Sequence, residues 1–524
     1  MPHIKSIVKR LLIKVSGLKG NDFVLDVPEK KVTSAHFYTN LAFVLGKRKK
    51  KSPAVSAKDI FEKLKKSKIF SSYEEKNGFL NFWVSDEFLK KELKKIITLG
   101  EKYGASRKNG KKIQIEYISA NPTGPLTLAN GRGGFWGDIL SNIFSFSGWK
   151  VEREYYVNDV GNQILNLGKS ALWWLNLASY EDGLYAGDYI KRWAFQNKLK
   201  IIKLKDPMKI GQLAASYFLS QIKETLEKMA DIKFDRYTSE NNIHQKGWVK
   251  KAIRIFEKSG FVFKKDGALW LKTSYFGDDK DRVLITKEGK PTYFLSDAGH
   301  YLETINRGFY YKINILGPDH YGYVKRIQAV SKIFGFKVSD VLITQAVLIK
   351  KDGELYKMSK RKGNFVTFEE LLKNVGKDAA RFFFVSQSLN SHIDFDLNLV
   401  KEKSNKNPLF YLEYSYVRAL KILQKSSQKP IFNFRKDKLS DLEKDLVFQL
   451  TLFPAVIEDV CETYEVDKLI RYAMELARNF HNFYEKEKVL GSEDESKKLS
   501  IVFALVIVLK NVFYLLNIKP PKEM

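Results

Sequence analysis

A chain of 524 residues with 44% hydrophobic and 29% charged residues is long enough to bury several cores and too apolar to stay disordered. Ninety Lys and Arg against 60 Asp and Glu leave a formal charge of +30, which favours a polyanionic partner such as nucleic acid, although a Lys-rich codon bias inflates the same number. The single cysteine, Cys461, and seven scattered histidines exclude a disulfide framework, a Cys-cluster zinc site and an HExxH pair, and point to a reducing, intracellular setting.

The opening MPHIKSIVKRLLIKVSGLKG is basic, with no acid before Asp22, but has neither a continuous apolar core nor a small-residue cleavage site, so it is not a secretory signal. An organellar transit peptide would carry more Arg and Ser. Residues 1–108 start with an alternating pattern, turn helical at AKDIFEKLKKSKIF and close on a predicted strand, NGFLNFWVS. GKRKKKSP at 46–53 reads as a solvated basic loop able to meet phosphates, and RKNGKK at 107–112 as a linker.

KKIQIEYISAN at 111–121 alternates as a strand and breaks at NPTGP; a helix is predicted from Asn130 to about Gly148, then a strand at KVEREYYVND. Strand, turn, helix and strand make a βαβ unit, hence a parallel sheet. Residues from about 165 to 275 read as a mostly helical insertion with a β element near FVFKKDGALWLKT. PTYFLSDAG, YKINILGPDHYG and SDVLITQAVLIK are predicted as later strands ending in polar or Gly-rich turns, where ligands gather. After Asp396 the pattern is helical to the end, as in NPLFYLEYSYVRALKILQK and DKLIRYAMELARNFHNFYEKE, which predicts a bundle. The apolar run SIVFALVIVL at 500–509 meets Lys510 and Asn511; it is shorter than the roughly 20 residues a bilayer requires and reads as a buried helix. The expectation is a soluble, cytoplasmic protein without a membrane partner.

Two stretches carry chemistry. NPTGPLTLAN lies between a strand and a helix, where small residues let the backbone approach a ligand and the helix N-terminus favours an anion. It is neither a Walker A loop nor a dinucleotide fingerprint. KMSKRKGNF, residues 357–365, puts two lysines three apart on a loop, where ammonium groups can follow charge onto a leaving phosphate. Alone, each reads as an ordinary turn or a solvated basic loop.

Together they resemble the two signatures of class I aminoacyl-tRNA synthetases, and the surrounding words resemble the arginyl-tRNA synthetases. FYTNLAFVLGK and GFLNFWVS are similar to that family's N-terminal module; IEYISANPTGP, REYYVNDVGNQI, FDRYTSE, DDKDRVLITKEGKPTYFLSDAG and ILGPDHYGYVKR to its catalytic domain. DAARFFFVSQSLNSHIDFDLNL, NPLFYLEYSYVRA and NIKPPKEM are similar to the approach, start and end of its helical domain. The resemblance implies an α/β fold: a class I Rossmann-like parallel-sheet catalytic domain at 109–396, an N-terminal α+β tRNA-contacting module at 1–108, and a C-terminal all-α helix bundle at 397–524 that binds the anticodon.

It also implies an ATP-dependent aminoacyl-tRNA ligase of protein biosynthesis. ATP, with Mg²⁺ and without zinc, would convert L-arginine to arginyl-adenylate and pyrophosphate; arginine would then pass to the 2′-hydroxyl of the terminal adenosine of its tRNA. The first step would need bound tRNA, and the enzyme would be a monomer. Carried over by motif, Asp297, Tyr293 and Glu240 face the guanidinium, which needs carboxylates in paired geometry; Glu116 and Asn121, with Ser119 beside them, hold the amino and carboxylate groups. Thr127, Asn130, Lys357 and Lys360 take the catalytic positions. Pro125, Leu126, Ala129, Gly131, Gly317, Asp319, His320, Met358 and Ser359 line the ATP site. His320 is read as positioning, because a carboxylate nucleophile needs no base. Asn158, Asp159 and Gln163 stand in a marked family word without a definite step. A buried acidic pocket would reject smaller or neutral amino acids by roughly 10⁴–10⁵, so no editing domain is expected.

The chain departs from the family at one point: where His-x-Gly-His is usual it has Thr127, Leu128, Ala129 and Asn130. Hydroxyl and amide are both donors and can replace imidazoles toward phosphate; a methyl at Ala129 crowds the approach of the base. The competing reading is a catalytically silent tRNA-binding paralogue. A nucleotidyltransferase has no use for the two flanking modules, and the cysteinyl and lysyl class I enzymes are more distant. Tyr411, Tyr414 and Tyr416 are candidates for stacking on unpaired bases, although helical spacing makes most of them core.

Overall fold

A computed structural model describes residues 3–28, 33–352, 354–355, 366–431 and 438–524. The chain forms two compact units, Met1–Arg107 with Lys403–Met524, and Lys108–Glu402.

In the first unit the opening segment is a helix, Ile4–Ser16, not an alternating strand: Ile4, Val8, Leu12 and Val15 recur once per turn and are its buried residues. An antiparallel sheet follows, in the order Leu25–Asp26, Phe37–Thr39, Phe79–Val84, Phe70–Lys76. The predicted strand NGFLNFWVS is Phe79–Val84, but it does not close the segment. Ser85 caps a further helix, Asp86–Leu99, accepting from Phe88 N with Asp86 and Glu87 in the first turn. Lys47, Arg48 and Lys49 end the helix Leu41–Lys49 rather than lying in a loop, and they are exposed together with Lys50 and Lys51.

The C-terminal part of this unit consists of the helices Pro408–Lys425, Asp441–Thr451, Phe453–Thr463, Asp467–Lys486 and Glu495–Leu516. The last is long and apolar enough to cross a membrane, yet 83% of its apolar window is buried. It is the core helix of the bundle, and its two buried lysines are paired, Lys497 with Glu443 and Lys498 with Glu487. His36 stacks on Phe448 at 4.3 Å and Tyr103 on Phe453 at 6.3 Å, so sheet and bundle share a core.

The second unit is built on five parallel strands: β1 (Lys112–Tyr117), β2 (Lys150–Val157), β3 (Arg236–Ser239), β4 (Tyr311–Leu316) and β5 (Val338–Ile343). Their spatial order is β5-β4-β1-β2-β3. The order reverses between β1 and β4, and the crevice outside the carboxyl ends of those strands is where doubly wound sheets bind ligands. β3 lies inside the stretch read as a helical insertion, so part of that stretch belongs to the main sheet. The β element near FVFKKDGALWLKT is the antiparallel pair Val262–Lys265 and Ala268–Leu271, joined by Arg282–Ile285.

Helix α1 (Leu128–Phe146) packs closely on β1 because its glycines let it. A Cβ on Gly137 would fall 2.3 Å from the Tyr117 ring, one on Gly134 2.7 Å from Ile118, and one on Gly131 2.3 Å from the Phe368 ring. Helices α2 (Asn162–Trp174) and α3 (Pro207–Glu224) cross in the insertion, and α4 (Glu240–Gln245) follows β3 directly. PTYFLSDAG is not a strand. Thr292 caps α5 (Tyr293–Asn306), accepting from Leu295 N, and the run Tyr-Phe-Leu that looks like a strand is the first turn of a helix burying Phe294, Leu295, Ala298, Tyr301 and Leu302 at helical spacing.

Candidate active site

The sheet face under α5 is polar at every second position. Register sets Gln114 and Glu116 of β1 opposite Lys312 and Asn314 of β4 on one side and Glu152 and Glu154 of β2 on the other, and Glu154 opposite Arg236 of β3. Parallel sheets are usually apolar on both faces, so this row of charges is a departure that requires partners. α5 supplies them. His300 Nε2 lies 3.2 Å from Glu154 Oε1 and its Nδ1 3.8 Å from Glu116 Oε2; Arg307 donates to Glu152, Glu154 and Glu303. Thr238 also donates to Glu154. Burial pushes the Glu154 carboxyl up, but His300, Lys312 and Arg307 hold it well below the ordinary carboxylate range.

Glu116 stands at the carboxyl end of β1. The backbone beyond it is strained: Ile118 has φ +68° and Ser119 φ +37°, and Ser119 N donates to Tyr117 O across a tight turn at 2.9 Å. This turn brings Ser119 Oγ back to donate to Glu116 Oε1 at 3.1 Å, while Tyr156 N donates to Ser119 Oγ at 3.0 Å. Ile118 is held against Gly134, so the strain is sustained by packing on α1.

Glu240, Asp297 and Glu116 converge. Glu240 is buried at the first turn of α4; Asn158, with its amide nitrogen turned toward it, donates to Oε2 at 3.0 Å, and His244 lies 3.6 Å from Oε1. Burial, partly offset by a Ser296 hydrogen bond and reinforced by Asp159, pushes the Glu240 carboxyl up to about 7. Asp297 is raised well above its ordinary range by burial and by the charges of Glu240 and Glu116. The buried Tyr156 hydroxyl, which feels both of these carboxylates, has no partner among the described residues. Tyr293 is 51% exposed at the start of α5, and its hydroxyl lies 3.2 Å from where a Cβ on Gly161 would stand. Glu116 is paired with Lys312, whereas Glu240 and Asp297 have no Lys or Arg ion pair among the described residues.

The turn before α1 is built as a capping box. Thr127 N and Thr127 Oγ1 both donate to Asn130 Oδ1, at 3.0 and 2.8 Å, and Asn130 N donates to Thr127 Oγ1 at 3.3 Å. The Thr127 hydroxyl is therefore engaged by the helix cap, which differs from the expectation that it serves phosphate, whereas the Asn130 amide nitrogen takes no part in the cap. Leu126 is buried, its carbonyl accepting from Phe368 N at 2.9 Å; Pro125, Ala129 and Asn121 are half-buried, and Gly131 sits under Phe368. Gly317 follows β4 directly and faces open space, with Asp319 and His320 exposed on the next turn. Lys357, Met358, Ser359 and Lys360 lie outside the described residues. Asp159 ties the NDVG turn to α4, accepting from Ser239 Oγ at 2.6 Å and Asn241 N at 3.0 Å, and so gives that word a structural role.

Sequence reasoning missed Lys312, Asn314, His300, Glu154, Tyr156 and Ser296. The alternation of polar residues in Gln114-Ile-Glu116, Glu152-Arg-Glu154 and Lys312-Ile-Asn314 was the available signal. Tyr416 is core, packed on Phe513, whereas Tyr414 stacks on His481 at 5.6 Å and Tyr411 packs on the same ring at a tilt, at 4.5 Å.

A nucleotide-type sheet, a capped helix at its switch point and an acidic pocket beside it define a class I aminoacyl-tRNA synthetase core. Family models agree: residues 92–170 match the class I (R) tRNA synthetase catalytic domain, 2–84 the arginyl-tRNA synthetase N-terminal domain, and 412–524 the DALR anticodon binding domain. The chain is 36% identical to the arginine–tRNA ligase of Carboxydothermus hydrogenoformans over 548 residues, spanning 100% of this chain and 98% of that one. It is 35% identical to that of Bacillus subtilis, spanning 96% and 94%. The fold matches Thermus thermophilus arginyl-tRNA synthetase with a TM-score of 0.80 at 19% identity, covering 99% of this chain and 100% of that one. The chain belongs to the arginine–tRNA ligase family.

Proposed function

We propose that the protein joins L-arginine to its tRNA. The arginine carboxylate attacks the α-phosphate of ATP, which enters as its Mg²⁺ chelate; arginyl-adenylate forms, pyrophosphate leaves, and the 2′-hydroxyl of the terminal adenosine of the tRNA takes the arginyl group. The observation that carries this reading is the pocket of Glu116, Glu240 and Asp297, in which burial raises two carboxyls, Glu240 with Asp159 adding to it and Asp297 with the charges of Glu240 and Glu116 adding to it. A guanidinium neutralises that cluster with planar, paired hydrogen bonds; a neutral side chain leaves it uncompensated. Glu240 and Asp297, with Tyr293 alongside, take the guanidinium, and Glu116, Ser119 and Asn121 the α-amino and carboxylate groups.

ATP lies over the N-terminus of α1, where backbone N–H groups and the helix dipole favour phosphate and the Asn130 amide nitrogen can donate. Gly317, Asp319 and His320 border the same crevice from β4, and Lys357 and Lys360 neutralise the leaving pyrophosphate. Residues 1–108 contact tRNA, 109–396 carry the chemistry and 397–524 bind the anticodon, with Tyr411 and Tyr414 as the base-stacking candidates. The exposed basic run at 47–51 and the charge of +30 make tRNA affinity salt-sensitive. The enzyme acts in the cytoplasm as a monomer.

The test is ATP–pyrophosphate exchange with and without tRNA, lysine serving as the control amino acid. Exchange with arginine, in the presence of tRNA, is the expected result; exchange with lysine at a comparable rate refutes the pocket assignment, because lysine keeps the charge and lacks the fork.

The pocket also sets a pH dependence. In the free protein Glu240 is protonated below about 7. Arginine binds the ionised form, so binding releases a proton, and the Glu240 contribution to affinity falls by up to about tenfold per pH unit below that value; Asp297, raised as well, acts in the same direction. Calorimetric titration with arginine from about pH 6 to pH 9, in buffers of different ionisation enthalpy, measures the released proton; pH-independent affinity would exclude Glu240 from the guanidinium site.

A further inference from the structure

We propose that Lys312 is a positioning residue of the amino-acid site: it fixes Glu116 as an ionised acceptor with one oxygen site left open for the α-ammonium of the substrate. The inference rests on the assignment of Glu116 to that ammonium.

Lys312, the second residue of β4, is wholly buried. Its ammonium donates to Glu116 Oε2 at 2.9 Å and to Gln114 Oε1, and lies 5.0 Å from the Tyr301 ring. Asn314 Nδ2 donates to the same Glu116 oxygen at 2.7 Å, and the Tyr301 hydroxyl donates to Asn314 Oδ1 at 2.8 Å, which fixes the orientation of that amide. Glu116 Oε2 thus has two donors and Oε1 one, from Ser119. A carboxylate offers about four acceptor sites, so a single site remains, on Oε1.

A fully buried lysine is costly unless it is paired and hydrogen-bonded, and here both of its polar partners lie on the strand that ends at the site. The groups facing Glu116 are Lys312 and Asn314 from β4, His300, Asp297 and Tyr301 from α5, Glu154 and Tyr156 from β2, and Ser119. Burial pushes the carboxyl up, Lys312 is the largest opposing influence and His300 the next, and Glu154 works against them; the balance lies below the ordinary range. Lys312 is the largest influence that opposes burial, so its loss moves the Glu116 carboxyl up, toward the neutral form that is a weaker acceptor for the substrate ammonium.

The test compares arginine with 5-guanidinopentanoic acid, which has the guanidinium and carboxylate but no α-amino group. In tRNA charging by the full-length chain, K312M is expected to raise the arginine KM by about tenfold at neutral pH with less change in kcat, and the rise should shrink as the pH is raised above neutrality. Inhibition by 5-guanidinopentanoic acid should stay within about twofold of the parent, which also shows that the pocket has folded. The double variant K312M/E116Q should be no worse than E116Q alone, because both act on one contact. Equal loss of both ligands, unchanged arginine KM in K312M, or additive effects in the double variant would overturn the inference. If E116Q fails to separate arginine from its deaminated analogue, the Glu116 assignment itself falls. If E116Q separates them and K312M does not, only the role of Lys312 falls.

Discussion

Asp297→Asn should lower kcat/KM for arginine by about 10²–10³-fold, leave the KM for ATP nearly unchanged, and not destabilise the protein. Asn is isosteric with Asp but offers one oxygen where a guanidinium seeks two, and it carries no charge. Loss of a desolvated, hydrogen-bonded charge contact costs about 3–4 kcal/mol, which corresponds to that range in rate. The stability prediction runs the other way because of the pocket's own electrostatics. The Asp297 carboxyl is raised by burial and by repulsion from Glu240 and Glu116, so the native state is penalised for ionising it. An acid with a raised folded pKa favours the native state when protonated and loses that contribution as pH rises through the folded value. Above neutrality D297N removes this penalty, and thermal unfolding at about pH 8 should occur at the same or a higher temperature. A variant with weaker arginine kinetics and a lower unfolding temperature would instead mark Asp297 as a structural residue.

The second large effect concerns the insertion. Gly168→Ala should destabilise the second unit by about 3 kcal/mol or more, against a helix-propensity gain of about 1 kcal/mol for the same change. α2 and α3 cross backbone to backbone: a Cβ on Gly168 would fall 1.7 Å from Pro207 O and 2.8 Å from Gly211 N, and one on Gly211 would fall 1.9 Å from Ile164 O. No side-chain rotation relieves a clash with carbonyl oxygens, so the helices must separate. The cluster of Ile164, Leu167, Ala171, Ile210, Ala214 and Phe218 between them would then open. The loss extends to the site, because Tyr189 packs on Phe218 and its ring lies 2.7 Å from where a Cβ on Gly124 would stand, in the turn that leads into α1. Thermal melting and limited proteolysis within residues 162–224 report the change; a G168A protein as stable as the parent would contradict the described crossing.

The large pattern was legible because it depends on local rules. Alternation at 111–121, the NPTGP break and the helix after it specify a βαβ unit whatever the rest of the chain does, and residue motifs carried the family. The misread elements failed for physical reasons. Tyr293-Phe-Leu resembles a strand because three large apolar residues in a row satisfy either period, and only the Thr292 cap and the spacing to Ala298 and Leu302 decide for a helix. Arg236–Ser239 joins the main sheet although only four residues long, through pairing with β2 that no local signal announces.

In the site, the carboxylates that a guanidinium demands could be named from motif words, but not the network that tunes them. The pairing of Lys312 with Glu116 depends on parallel register between strands almost two hundred residues apart. Thr127 and Asn130 resemble substitutes for phosphate donors in the sequence; their geometry shows that such a pair also closes a helix cap, which occupies the hydroxyl and leaves the amide nitrogen. The chain thus keeps the turn well formed without imidazoles.

The central claim is that this pocket and this turn together constitute a working arginine ligase. The most direct measurement is transfer of labelled arginine onto a tRNA transcript bearing an arginine anticodon, with lysine as competitor, by the full-length chain. The expected result is an arginyl ester on the terminal adenosine, dependent on ATP and undiminished by equimolar lysine. A protein that binds the transcript tightly but transfers no arginine would contradict it and leave Thr127-Leu128-Ala129-Asn130 as the cap of a silent tRNA-binding scaffold.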